Sequence, residues 1–336
     1  MKNIYTLLIA VCLCTFAQAQ RSVDIGLSGG FTNYFGDLGN DDFFQASSTR
    51  PASTITFRNF LNNPNKTGYL YQPFSIEARV SWQRIGYDET KPISGRSGYD
   101  LRNYGRGLGF RTDVYGFSTH VTYTWYANKR KPLAQQNAAM FFYAGVGVYY
   151  AEPKADLFQG AVDINNRYYF WNDGTTRDAP ESSGQGNIIK KDGIYETSLE
   201  KWRTEGQGFS GELGQKRPYN MMHIGFPIGF GWRFGLSPHL TLSAEFSYIK
   251  FLTDYLDDVS DKYATYEQIN ANWPDDYEQQ ALAKYISDPT GQGTNGYESP
   301  QTSRRGNIHK TDGYTFISLE LSYKLDFNLK KMRDKL

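Results

Sequence analysis

From Leu240 to Tyr248 the chain alternates without a break. Leu240, Leu242, Ala244, Phe246 and Tyr248 fall on one face, and Thr241, Ser243, Glu245 and Ser247 fall on the other. A period of two over that length predicts a strand. The carboxylate opposite the apolar row is foreign to an ordinary protein core. Seven further segments repeat the pattern. Residues 23–34 set Val23, Ile25, Leu27 and Phe31 against Asp24, Gly26, Ser28, Gly30 and Thr32. Residues 53–61 are weaker, with Ile55 and Phe57 opposite Arg58. Phe74, Ile76, Ala78, Val80 and Trp82 alternate with Ser75, Glu77, Arg79, Ser81 and Gln83. Tyr115, Phe117, Val121, Tyr123 and Trp125 oppose Gly116, Ser118, His120, Thr122 and Thr124. Residues 139–150 put Phe142, Ala144, Val146, Val148 and Tyr150 on one face, and 222–234 run from Met222 to Phe234 with His223, three glycines and Arg233 behind. The last segment carries Ile317, Leu319, Leu321, Tyr323, Leu325 and Phe327 outward, over Ser318, Glu320, Ser322, Lys324 and Asp326.

The polar faces carry both signs of charge: Asp24, Glu77, Glu245 and Glu320 against Arg58, Arg79, Arg233 and Lys324. Equal numbers are what burial demands, since an unpaired buried charge is costly. Glycines on three of these strands leave room for the long side chains. The connections at 62–65, 128–137 and 235–238 are short. Those after the first, third, fifth and seventh strands are long, the last two spanning about 153–219 and 254–313. Short periplasmic turns and long extracellular loops are the asymmetry of outer-membrane barrels. The expected fold is therefore all-β, an eight-stranded antiparallel up-and-down transmembrane β-barrel with long extracellular loops. Both termini then lie on the periplasmic side. A barrel of this size is filled by its own side chains, so a polar plug and no channel are expected. A water-soluble sandwich would not set Glu and Arg against large apolar rows on nearly every strand.

Composition sharpens this picture. Lys2, the apolar run 7–13 and Ala17-Gln18-Ala19 have the order of a secretory signal peptide. Residues 1–19 are expected to be removed after export to the cell outer membrane, leaving a barrel domain over 20–336. The apolar run is too short for a spanning helix. Cys12 and Cys14 both lie inside the signal, and neither follows the small residue of a lipoprotein signal, so no lipid anchor, disulfide or thiol chemistry is expected. Lys+Arg 36 against Asp+Glu 35 gives no reason to expect a nucleic-acid partner. Tyr 26 and Phe 22 beside a mean hydropathy of −0.59 fit strands that meet lipid with every second residue between aromatic girdles.

Candidate chemistry is sparse. His120 and His223 project inward, His239 sits at a turn and His309 in the last loop. They show no metal-site spacing and no Ser/His/acid set, so neither an enzyme nor a cofactor is expected. The Asp/Asn clusters at 40–42, 172–173 and 254–261 match no ordered calcium loop and read as a solvated lip. Segments 186–193 and 306–313 echo one another, which a Gly/Asn/Lys-rich loop produces by chance. Lys129-Arg130-Lys131 and the tail residues Lys330, Lys331, Arg333 and Lys335 place positive charge on the periplasmic side, as a solvated face or a docking surface for an acidic partner.

Several segments in order resemble a known family. They are IGLSGGFTNYFGDLG at 25–39, YAGVGVYYAEP at 143–153, EGQGFS at 205–210, GFPIGFGWRFGLSPHLTLSAEFSY at 225–248, TDYLDDVSDKY at 253–263 and LELSYKL at 319–325. The chain resembles the small Bacteroidota outer-membrane β-barrels, the family that includes PorG of the type IX secretion system. DYLDDVS is the most specific segment, because alternation alone does not produce it. The resemblance covers essentially the whole mature chain. It implies a family motif at the barrel rim made by Gly36, Asp37, Asp254, Tyr255, Asp257 and Asp258. It also implies a non-enzymatic role, anchoring a secretion assembly to the outer membrane. The implied partners are outer-membrane lipid and a periplasmic or outer-membrane protein complex of type IX components. The alternative is a surface-exposed binding or accessory barrel whose long loops capture a ligand or another outer-membrane complex.

Overall fold

The computed structural model describes residues 22–39, 44–61, 73–90, 99–128, 133–136, 138–209, 217–291 and 304–326. The expectations for the signal peptide, the cluster at 40–42, the turn at 62–65, the basic run 129–131 and the tail beyond 326 lie outside them. The wall strands are β1 (Ser22–Phe35), β2 (Arg50–Phe60), β3 (Phe74–Asp88), β4 (Gly109–Trp125), β5 (Ala139–Ala155), β6 (Met222–Gly235), β7 (Leu240–Phe251) and β8 (Gly313–Asp326). Each runs antiparallel to the next. β8 returns to β1 in a register running from Ser22↔Asp326 to Phe35↔Gly313. The result is a closed antiparallel barrel of 8 strands. Closure leaves no edge with unpaired backbone groups, the condition for a sheet to stand in lipid.

β4 and β5 extend further than alternation predicts, starting at Gly109 rather than near Tyr115 and ending at Ala155 rather than Tyr150. The reason is an inversion of the pattern. Between Tyr115 and Trp125, β4 turns Tyr115, Phe117, Val121, Tyr123 and Trp125 outward and leaves them exposed. That span is close to the roughly 9–11 residues a tilted strand needs to cross a bilayer. Above Tyr115 the outward positions become Asp113 and Arg111, and above Tyr150 they become Glu152 and Lys154. Arg84 pairs with Asp113 across β3 and β4 at 2.7 Å. The inward positions invert with them, to Phe110, Val114, Ile85, Ala151 and Ala155, all buried. Trp82, Tyr115 and Tyr150 sit at the crossover, on neighbouring positions of β3, β4 and β5. Phe74, Tyr123, Trp125, Trp232 and Tyr323, all exposed, form the opposite girdle. Lipid therefore touches the lower wall, and the upper wall stands in water.

The interior has two storeys. The lower one is charged, while the upper one is an apolar core built on Tyr34, Phe110, Phe251, Tyr314 and Phe316. The polar interior lies at lipid depth; above the lipid the wall faces water and packs like a soluble protein. Interior glycines admit the bulk. A Cβ on Gly229 would lie 2.6 Å from the Tyr143 ring, and one on Gly26 would lie 2.6 Å from the Glu320 carboxyl carbon. Between the storeys a cavity of about 20 Å³, lined in part by Arg79, His120 and Tyr149, has room for about one water.

The long loops all leave from the upper rim and fold over it. They contain α1 (Tyr99–Arg106), α2 (Tyr266–Asn272) and α3 (Tyr277–Ser287). Thr265 and Gln268 cap α2 reciprocally, at 3.2 and 2.8 Å. Asp276 caps α3 by accepting from the Gln279 amide at 3.0 Å. α3 buries Leu282, Tyr285 and Ile286 against the core of the upper barrel. The Tyr285 hydroxyl donates to the carbonyls of Leu157 and Tyr168, each at 2.9 Å.

Candidate functional site

Six interior charges of the lower storey, drawn from five strands, meet in one network. Glu77 on β3 takes three arginines: Arg58 from β2 at 2.7 Å, Arg79 from its own strand at 2.8 Å and Arg233 from β6 at 2.8 Å. Arg58 also reaches Glu320 on β8 at 2.8 Å. Arg79 forks onto Glu245 on β7, Nη1 to Oε1 at 2.7 Å and Nη2 to Oε2 at 3.0 Å. The remaining valences go to Tyr143, whose hydroxyl donates to Glu245 at 2.6 Å, and to Thr124, which accepts from Arg233 at 2.7 Å. Arg79 and Arg233 also lie over the rings of Tyr143 and Phe141, at 4.4 and 4.2 Å. Three guanidinium groups thus face three carboxylates. Asp24 and Lys324 pair in register at the lower end of the wall, where Asp24 is buried and Lys324 half-buried. His120 Nε2 is 2.8 Å from Ser118 Oγ.

The rim residues belong to a second cluster, under the folded loops. Asp254, Asp257 and Asp258 follow β7 and are buried, with Asp258 at 0 % exposure. The expected solvated lip is therefore corrected: these aspartates form a knot that the other loops close over. Asp258 accepts from Thr204 Oγ1 at 2.6 Å and from Tyr219 OH at 2.7 Å, and pairs with Arg305 at 3.2 Å. Tyr255 stacks on Tyr219, ring centres 4.6 Å apart. Asp257 accepts from the Tyr34 hydroxyl and from the Val259 amide at 2.9 Å. Asp37 accepts from the Asn307 amide at 2.6 Å. Gly36 packs so closely on Tyr34 and Asp312 that a Cβ would collide with both. Residues outside the predicted set complete the knot, Glu205 and Arg106 beside Arg305 and Asp312. Glu205 accepts from the amides of Ser260 and Asp261 at 2.7 and 3.0 Å. Arg106, from α1, donates to the carbonyls of Arg305 and Asp37 at 2.8 and 2.9 Å. All four long loops are tied here.

Carboxylates outnumber cations in this cluster. Burial pushes Asp254 up to about 8, with Asp37, Asp257 and Glu205 adding to it. Burial does the same for Asp257, to about 8 against the Tyr34 hydrogen bond. Asp258 rises by burial to about 6, opposed by Arg305. Asp37 also rises by burial to about 6, opposed by the Asn307 amide. Asp312 is raised well above the usual range by burial and by Asp257. The knot holds protons through neutral pH, and they let carboxyls pack where anions would repel. Of the missed residues, Glu205 lies in a segment the resemblance contains, whereas nothing local in the sequence marks Arg305, Arg106 or Asp312.

A closed wall, a lipid-depth belt of outward apolar side chains and paired charges within define a transmembrane β-barrel of the outer-membrane type. Among the described residues no helix is long and apolar enough to cross a membrane. No protein-family model matches the chain, and no curated protein matches its sequence. Solved structures similar to it include Ail, the attachment invasion locus protein of Yersinia pestis, in complex with the heparin analogue sucrose octasulfate, at 9 % identity and TM-score 0.34, covering 91 % of this chain and 100 % of that one. Neisserial surface protein A matches at 7 % identity and TM-score 0.34, covering 91 % and 100 %. A major outer membrane protein from Thermus thermophilus matches at 11 % identity and TM-score 0.33, covering 90 % and 99 %. These likenesses are weak, and the class rests on the barrel's own geometry.

Proposed function

We propose that the chain is a non-enzymatic outer-membrane barrel that serves as a structural component of a secretion complex. The complex is of the type IX kind, in the manner of PorG. The folded loops face the cell surface, and the short turns and termini face the periplasm, where components of the machine dock. The observation that carries this reading is the filled lumen. Glu77, Thr122, Thr124 and Phe141 are each 0 % exposed, and buried side chains fill the barrel above and below them. A wall that conducts nothing contributes through its surfaces. Deleting the gene and assaying export of proteins bearing type IX signals is the test. Lost export, with secretion components recovered alongside the detergent-extracted barrel, supports the proposal. Normal export overturns it in favour of a surface binding or accessory barrel. That second reading draws on the apolar side chains the loops leave in water, Tyr277 at 79 % and Ile188 at 66 % exposure. The proposal includes cleavage of the signal peptide, so amino-terminal sequencing of the membrane-embedded protein reads from near Gln20.

A further inference from the structure

Where β5 leaves the barrel, a separate acidic cluster stands apart from the knot. Asp156 follows directly on β5, and Asp192 and Glu196 come back to it after the loop's long excursion. One carboxylate oxygen from each of the three lies within 4.8 Å of the other two. Part of each carboxylate is already engaged by backbone. Asp156 Oδ2 accepts from the Gly193 amide at 2.9 Å, and Asp192 accepts from Gly160 and Ile194, both at 2.9 Å. Glu196 Oε1 accepts from Leu157 and Phe158, both at 3.0 Å. The other oxygens of the two inner residues, Asp156 Oδ1 and Glu196 Oε2, are shut off from solvent and accept no hydrogen bond. Asp156 as a whole is only 5 % exposed. The nearby cations hydrogen-bond elsewhere, although the Lys191 charge still acts on Asp156. Lys191 sits 3.4 Å from both oxygens of Asp88. Arg111 lies over the Tyr195 ring at 4.1 Å and donates to the Gly193 carbonyl at 3.4 Å. A buried carboxylate oxygen that accepts no hydrogen bond is costly.

We propose that Asp156, Asp192 and Glu196 bind one calcium ion, which staples the returning limb of the loop to the end of β5. The donor set is hard oxygen alone, with no imidazole or thiolate, which points away from zinc and copper. Calcium takes 6–8 oxygens at about 2.3–2.6 Å in flexible geometry, so it spans oxygens this far apart, whereas magnesium demands a tighter octahedron. Three carboxylates supply the charge, and backbone carbonyls and water complete the shell. Extracellular calcium modules work at dissociation constants of roughly 0.1–1 mM, the range suited to a cell-surface loop. This site is independent of the secretion role.

The test uses the full-length protein in detergent, stripped with EDTA and titrated with calcium chloride by calorimetry, beside limited trypsin digestion. One saturable site of roughly 0.1–1 mM is expected. Cleavage at Lys190 and Lys191 slows several-fold in calcium and far less in magnesium. The double variant D156N/E196Q keeps acceptors for the same backbone amides but loses both effects, whereas D173N, in the same loop, keeps them. No saturable binding to the wild type below about 10 mM, or equal binding to the double variant, overturns the proposal. If the double variant fails to fold, the wild-type digestion decides: calcium-dependent protection supports the site and its absence overturns it.

Discussion

Glu77 is the residue on which the barrel interior turns. It is fully buried and engages Arg58, Arg79 and Arg233 together. Removing one member of a buried ion network leaves charges unpaired at a cost of roughly 3–5 kcal/mol. Glu77→Gln should therefore destabilise the refolded barrel by that much in urea unfolding, while proteolysis of the folded loops in the native state stays unchanged. The knot makes a different forecast. Asp254 and Asp257 have folded values of about 8, above the roughly 3.9 of an unfolded aspartate. Their stabilisation is complete below about pH 4 and is lost as pH rises towards 8. Amide exchange at Leu256 and Val259, corrected for the intrinsic rise with pH, should accelerate between about pH 4 and pH 8, more than exchange in the strands, and Asp254→Asn should flatten that rise. At this scale the sequence located the rim aspartates but misjudged their surroundings. Burial in a loop depends on partners as distant as Asp37, Glu205 and Arg305, and no periodicity ties those to DYLDDVS. The interior charges were legible because strand alternation alone assigns a residue to its face.

Among the elements, alternation carried most of the information and its inversion carried the rest. All eight strands could be read from period-two rows, since lipid on one side and packed charge on the other is the most regular pattern a strand can display. The true upper ends of β4 and β5 were less visible. There the rows swap meaning, and Phe110 or Val114 read in isolation looks like a lipid-facing residue one position out of phase. The helices were signalled only by the Thr265 and Gln268 box and by Asp276, short cues in a segment whose composition suggested an irregular loop. The inversion places Leu319, 61 % exposed, at lipid depth and Lys154 above it. Leu319→Lys should cost about 2–4 kcal/mol near the bilayer midplane, read by urea unfolding in vesicles. Lys154→Ala, whose charge lies 3.4 Å from Glu152 at a partly exposed position, should cost no more than about 1 kcal/mol.

For the whole molecule, the filled lumen forecasts electrical silence. Planar bilayers containing the protein should show no stable large conductance, and one that persists after purification would contradict the packing of the lower storey. The folded barrel should also migrate faster on a gel before boiling than after it. The pairing of the first strand with the last has one further outcome. No cylinder exists until Gly313–Asp326 has been synthesised and delivered, because β1 waits for β8 as its neighbour. A polypeptide stopped before Gly313 would present two bare flanks at once, along β1 and along β7, each a template for adhesion to other chains. Such nonsense fragments should be found in inclusions or cleared by periplasmic proteases, never seated in the bilayer.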